Sequence, residues 1–395
     1  MALRIAKRVG AVGASPTLAI TAKAKALKAA GKDVIGFGAG EPDFDTPEPV
    51  KEAAIEALRA GFTKYTPAGG IPELKEEIVK KLSRENDLEY SADEVVVTTG
   101  AKHALYVATM ALVDDGDEVI IPAPYWVTYP EQARLAGGVP VIVRTREEDG
   151  FRLRVEDVEA VLTERSRMLV LNSPANPTGA VLERGDLEAL AELACRKDLI
   201  VLSDEIYEPM IYDGRKHISI ATFPGMRERT IVVNGASKGF SMTGWRIGWA
   251  AGPKEVIKAM SAQLSHSTSN ATSFSQKGAV AAYRLPKDVV AGMVAEFEKR
   301  RREIVRLLNE IPGVSCLMPG GAFYVFPNVA GTYGEHRGRR IDSSLALTEY
   351  LLEEVNVAVV HGEAFGTPGY VRLSYATSME KIQEGVKRIS EALAG

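Results

Sequence analysis

The chain has 395 residues, more than one ordinary domain, which points to roughly two. Hydrophobic residues make up 46% and charged residues 25%, the balance of a soluble globular protein with a sizeable core. The net charge of −4 argues against nucleic acid as the main partner, and the opening "MALRIAKRVGAVGASP" holds no uninterrupted apolar run, so neither a signal peptide nor a membrane span is read.

From about residue 94 strands and helices alternate. "EVVVTTG" (94–100) reads as a strand and "KHALYVATMALV" (102–113) as a helix. "DEVIIP" (117–122), "VPVIVRT" (139–145), "RMLVLNSP" (167–174) and "LIVLSDEIY" (199–207) read as strands. Between them "PYWVTYPEQARLAG" (124–137), "EDVEAVL" (156–162) and "DLEALAELACRK" (186–197) have helical period. "TIVVNG" and "WRIGWAAG" add two more strands. Strands that are continuous apolar runs argue for a mostly parallel sheet buried on both faces. The last third differs. "KDVVAGMVAEFEKRRREIVRLLNE" (287–310) is a long charged helix, and "VSCLMP", "FYVFPN", "VAVVHG" and "YVRLSYA" read as short strands of a smaller α+β domain. "DVIGFGAGEPDFDTP" (33–47) is expected to join it. Cys195 and Cys316 lie in apolar contexts, as small buried hydrophobes of a reducing compartment do. The five histidines are scattered, so no metal site is expected and a cytoplasmic enzyme is the default.

In an open parallel sheet, ligands bind beyond the carboxyl ends of the strands. Four polar clusters fall there: "TTGAK", "NSPANPTG", "SDEIY" and "NGASK". One such cluster is an ordinary loop; four suggest a shared crevice. Gly100, Ala101 and Lys102 open a helix directly after a strand, where free N–H groups attract an anion. Arg246 offers a fork for a phosphate. Asp204 is an acid at the end of an apolar strand, suited to pairing with a cationic ring nitrogen. Asn176 and Tyr207 can donate to a ring oxygen, and Trp126 can stack on a ring. Lys238 sits among small residues near other cations, conditions that lower an amine pKa and make it a nucleophile and base. That inventory is the one pyridoxal phosphate needs.

With these motifs in order, the chain resembles the fold-type-I, class I aminotransferases, most closely the aspartate aminotransferases of the Bacillus and Thermus subgroup. "GAGEPDFDTP", "YTPAGGIPELKEEI", "PYWVTYPEQ", "NSPANPTGAV", "SDEIYE", "SKGFSMTGWRIG" and "VRLSYATS" carry the likeness, which spans nearly the whole chain. The resemblance implies an α/β fold, with a large cofactor domain over residues 48–285 built on a mostly parallel, seven-stranded sheet sandwiched by helices. Residues 1–47 and 286–395 would form an N-terminal arm and the smaller domain. It also implies transamination between L-aspartate and 2-oxoglutarate on pyridoxal 5'-phosphate, in a homodimer. Lys238 would carry the cofactor and the 1,3-proton transfer. Asp204 would keep the ring nitrogen protonated, and Tyr207 and Asn176 would bond the ring oxygen. Gly100, Ala101, Lys102, Ser237 and Arg246 would surround the cofactor, with Tyr65 reaching its phosphate from a second subunit and Trp126 on the ring. Arg372 would hold the substrate α-carboxylate, helped by Asn176 and the backbone of Gly40. Lys102, with Ser15 and Thr17, would take the side-chain carboxylate, since no arginine lies between Arg246 and Arg284. Gly235, His361 and Ala271 depart from the family pattern, which expects serine at the first and proline at the other two. Alanine, aromatic amino acids and prephenate remain open as substrates.

Other readings fit less of the chain. "GASKG" matches G-x-S-x-G, with Ser237 as a hydrolase nucleophile and His361 or His336 as base, but a helix should follow at once. "GFGAG" (36–40) lacks the full dinucleotide pattern. A non-catalytic regulator would carry a DNA-binding module, for which the N-terminal stretch is too short.

Overall fold

The computed structural model describes residues 3, 5–13 and 16–394. A short strand, β1 (Ile35–Gly36), precedes seven strands of one sheet: β2 (Val95–Thr98), β3 (Glu118–Ala123), β4 (Val139–Arg144), β5 (Ser166–Asn172), β6 (Ile200–Asp204), β7 (Thr230–Gly235) and β8 (Gly248–Ala251). Their order is β2-β8-β7-β6-β5-β3-β4. Only β8 runs antiparallel to its neighbours, so the sheet is mostly parallel.

The apolar runs are explained by cover on both faces. Ala104, Leu105 and Ala108 of helix Ala101–Leu112, with Ile257, Met260 and Leu264 of helix Lys254–Ser267, pack on Val96, Ile121, Val170 and Val233. On the other face Leu187, Leu190 and Ala191 of helix Arg184–Arg196 pack on Ile120, Leu169 and Val201. Every residue of β2, β7 and β8 is buried.

The C-terminal third opens on the 23-residue helix Lys287–Asn309. It adds β9 (Tyr324–Val325), the hairpin β10 (Gly334–His336) and β11 (Arg339–Ile341), then β12 (Val357–Ala358), β13 (Val360–His361) and β14 (Val371–Ser374). β13, β14 and β9 form an antiparallel sheet, and β1 pairs with β12 in parallel. The core of this region includes Ile206, Tyr207, Met210 and Tyr212, so it sits directly on the exit from β6.

Three expectations need correction. "VSCLMP" is not a strand; only Ser315 makes an isolated bridge, to Asn328. The Cys316 N–H is instead taken by Asn309 Oδ1 at 2.9 Å, and Leu317 and Met318 are exposed. The helix expected over 124–137 starts only at Thr128, with Pro130 in its first turn, where no N–H donor is needed. The strand expected from Trp245 begins at Gly248, because Thr243–Trp245 forms a 3-10 turn and Arg246 takes a left-handed φ of 57°.

Candidate active site

The carboxyl ends of β5, β6 and β7 and the N-terminus of helix Ala101–Leu112 meet at a cavity of about 310 Å³. The smaller domain closes its far side with Tyr324 and Arg372. The sequence clusters therefore do converge.

Gly100 caps the helix with φ 93°, and a Cβ there would collide with the Arg246 guanidinium. Gly248 is equally constrained, since a Cβ would strike the Ala101 backbone. Intrahelical bonding starts with the His103 N–H, so the N–H groups of Ala101 and Lys102 point beyond the helix end. Arg246 is anchored beside them, donating from Nη1 to Thr243 O at 2.7 Å and from Nη2 to Thr99 O at 3.2 Å. Backbone donors, a helix terminus and a fixed guanidinium make an anion cradle.

Asp204 ends β6 and is buried. The Tyr129 hydroxyl donates to Oδ2 at 2.8 Å and the Ile206 N–H to Oδ1 at 3.2 Å. Burial pushes this carboxyl up to about 6, against the pull of both hydrogen bonds. Lys238 follows β7, and its Nζ donates to the Gly40 carbonyl. Loss of solvation lowers its ammonium to about 8; Glu41 opposes this, and Arg372 and Arg246 reinforce it. Asn172 ties the acid to the next loop. Its Nδ2 donates to Asp204 O at 3.0 Å, and its Oδ1 accepts from the Asn176 N–H at 2.8 Å.

Arg372 is 2% exposed. Nη1 donates to Asn176 Oδ1 at 3.0 Å and Nη2 to Gly38 O at 2.8 Å. Its Nε is buried without a partner, and among the described residues it makes no ion pair. A buried guanidinium with no carboxylate is a site waiting for one. Lys102 Nζ lies 4.7 Å over the Trp126 ring, which meets Tyr129 edge-on. Thr17, Gly40 and Ser237 also line the cavity, whereas Tyr65 does not and is 88% exposed. Ser15 lies outside the described residues. Asn172, Tyr129 and Tyr324 are the residues that sequence reasoning missed.

Ser237 has no helix after it and no histidine in its cavity. His336 Nε2 meets Thr332 O, and His361 Nδ1 meets Glu363 Oε2 at 3.1 Å. The departures have local explanations. A Cβ on Gly235 would come within 2.8 Å of the Gly248 Cα and the Ile247 carbonyl, so no serine fits there. The Ala271 carbonyl accepts from Gln276 Nε2 at 2.8 Å and Asn270 Nδ2 at 2.7 Å, which fixes that loop. Glu205, Glu208 and His217 bring their ligand atoms within 4.8 Å of one another. The Lys81 ammonium pairs with Glu208, so this cluster already contains its own cation.

A cradle for an anion, a buried acid, a lysine and a buried guanidinium form one pocket. The model of the family "Aminotransferase class I and II" matches residues 32–389. The chain belongs to this family. The aspartate aminotransferase of Geobacillus stearothermophilus is 51% identical over 388 residues, covering 98% of both chains. A probable aspartate/prephenate aminotransferase of Aquifex aeolicus is 51% identical over 392 residues, again covering 98% of each. The crystal structure of the Rhizobium meliloti aspartate aminotransferase superimposes with a TM-score of 0.96 at 45% identity, over 100% of this chain and 99% of that one.

Aminotransferases of this family use pyridoxal 5'-phosphate, and the donor set suits it. The Gly100–Arg246 cradle would suit its phosphate, and Asp204 would suit its ring nitrogen. The lowered amine of Lys238 gives a first expected result. At pH 7 roughly a tenth of it is neutral, against well under a thousandth of an ordinary lysine. Stripped protein should therefore capture added cofactor at a rate that climbs with pH to a midpoint near 8, followed by stopped-flow absorbance. A midpoint above 10 would show that Lys238 is solvated.

Proposed function

We propose that the protein is an aspartate aminotransferase that exchanges an amino group between L-aspartate and 2-oxoglutarate by a ping-pong route. The observation that carries this reading is the buried, carboxylate-free Arg372 lining the same cavity as Lys238 and Lys102. The cofactor, when bound, supplies a sink for the electron pair left when the substrate α-proton departs. Lys238 moves that proton from the α-carbon, a task suited to an amine whose pKa lies near 8. Asp204 holds a proton on the ring nitrogen, and the Tyr129 bond aims its carboxylate. Tyr207 and Asn176 donate to the ring oxygen; Asn176 has its amide oxygen committed to Arg372, which turns its NH₂ away from the arginine. The N–H groups of Ala101 and Lys102, next to Gly100, hold the phosphate with Arg246 and Ser237. Arg372 takes the α-carboxylate, with the Gly40 backbone beside it, while Lys102 and Thr17 meet the side-chain carboxylate. Trp126 covers the ring.

Tyr65 is supported as a group donated to a second subunit by its exposure and its absence from its own cavity lining. A homodimer follows from that reading. The large domain is taken as 48–285, since the long helix of the smaller domain starts after Pro286. No described helix is long and apolar enough to cross a membrane, and we place the enzyme in the cytoplasm.

The test is the visible spectrum. The yellow band of the lysine-bound cofactor should collapse on adding L-aspartate and return with 2-oxoglutarate. A band indifferent to aspartate would remove the assigned donor. Arg372→Leu should lower kcat/KM for dicarboxylates about 10²-fold, since it removes a buried charge partner worth ~3 kcal/mol; an unchanged value would move the carboxylate site elsewhere.

One observation favours a broader acceptor range. A second cavity of about 690 Å³ adjoins the first and shares Lys102 and Arg246 with it. Tyr106, Tyr125 and Arg134 line it. It gives room for prephenate, which should accept an amino group from aspartate in a coupled assay. Absence of turnover would confine the enzyme to small oxo acids.

A further inference from the structure

We propose that Tyr324 is a positioning residue whose hydroxyl drives the hydrogen bond that Tyr207 gives to the cofactor ring oxygen. This rests on the reading of Tyr207 above and names what stands behind it.

Tyr324 comes from β9 in the smaller domain, paired with β14 so that it lies opposite Ser374. It is fully buried. Its hydroxyl lies 2.8 Å from the Tyr207 hydroxyl, with the two rings edge-on at 5.6 Å. Gly40 makes room for that hydroxyl, since a Cβ on Gly40 would come within 2.9 Å of it. The Arg372 guanidinium lies 4.6 Å over the Tyr324 ring. Burial raises the pKa of both phenols, so both keep their protons. The charged groups acting on the pair are Arg372, Asp204 and Glu41.

Two facing phenols share one hydrogen bond, and either can be its donor. Once Tyr207 gives its proton to an acceptor in the cavity, its oxygen is free only to accept. Tyr324 must then be the donor. The chain runs from Tyr324 to Tyr207 to the ring oxygen, and each bond polarises the next. Phenylalanine would fill the same space without burying a hydroxyl, as Phe323 beside it does. Among the described residues the only hydrogen-bond partner of the Tyr324 hydroxyl is Tyr207.

The experiment is the pH titration of the visible band of the holoenzyme for Tyr324→Phe, Tyr207→Phe and the double variant. A hydrogen bond to the ring oxygen draws electron density from it. The nearby lysine nitrogen then holds its proton less tightly. Weakening that bond should raise the midpoint. Tyr324→Phe should raise it by about half a pH unit, Tyr207→Phe by more, and the double variant by no more than Tyr207→Phe alone. KM for aspartate should change less than about 2-fold, because the Phe ring keeps its cation–π contact with Arg372. An unmoved or lowered midpoint in Tyr324→Phe, beside a raised one in Tyr207→Phe, overturns the proposal. Additive shifts in the double variant overturn it too, since Tyr324 would then act independently. An unmoved midpoint in Tyr207→Phe removes the underlying reading, and the proposal with it. A purely structural Tyr324 would, when changed to Phe, lower Tm and leave that variant's midpoint in place.

Discussion

Lys238→Ala should lower transamination by at least about 10⁵-fold while the protein still retains pyridoxal phosphate weakly. The size of the loss follows from the double duty proposed for one amine, as covalent anchor and as proton carrier. The other lysine of the lining, Lys102, has its Nζ over the Trp126 ring and is assigned to the substrate side chain. Among the described residues the lining of the cavity holds no histidine and one carboxylate, Asp204. That carboxylate is engaged by the Tyr129 hydroxyl and the Ile206 N–H. Residual cofactor binding is expected because the Gly100–Arg246 cradle and Asp204 do not depend on Lys238. Truncation also frees the space of the lysine side chain next to the Gly40 carbonyl, so a small primary amine in solution should restore part of the rate. Steady-state assay with and without ethylamine, with absorbance after gel filtration, reads all three outcomes. Turnover within about 100-fold of the unaltered enzyme would remove Lys238 from the chemistry.

What could be read from the residues divides by the range of the interaction. The parallel sheet was visible because its strands are covered on both faces, which leaves apolar runs such as Val95–Thr98 and Thr230–Gly235. Asp204, Lys238 and Asn176 were visible because a parallel sheet sends all its strand ends to one edge. Arg246 was recognised by type, but not the left-handed turn that aims it at Gly100. Tyr129 and Tyr324 lay inside aromatic strings that look like core, and core they are; their hydroxyls matter only through partners 75 and 117 residues away. The Tyr324 pairing depends on how the smaller domain sits on the exit from β6, and the Tyr129 pairing on how helix Thr128–Leu135 lies on the large sheet; no local pattern encodes either. "VSCLMP" failed for a similar reason: its backbone is claimed by the Asn309 side chain rather than by a neighbouring strand.

Asp204→Asn should lower kcat about 10³-fold and change KM far less. The amide keeps the shape of the carboxylate: its oxygen can still accept from the Ile206 N–H, and its NH₂ can donate to the Tyr129 hydroxyl oxygen, so the pocket should stay intact. What disappears is the charge. A buried cation left without its partner costs about 3–5 kcal/mol, and the ring nitrogen would release its proton instead, leaving a poorer electron sink. The same substitution tests Asp204 without any cofactor. Its carboxyl, pushed up to about 6 by burial, binds its proton more tightly in the folded chain than in the unfolded one. Between pH 4 and 6 the folded state therefore holds more protons at this site, so its contribution to stability must fall as pH rises. The substituted amide cannot titrate. The difference in unfolding free energy between the parent and Asp204→Asn, measured by denaturant melts of stripped protein, should decline across that window and level off above it. Added cofactor should reverse the high-pH loss in the parent only, because a protonated ring nitrogen gives the ionised carboxylate its partner. A flat difference curve would mean that Asp204 is solvated, and a loss of kcat below about 10-fold would mean that the ring nitrogen takes its proton from elsewhere.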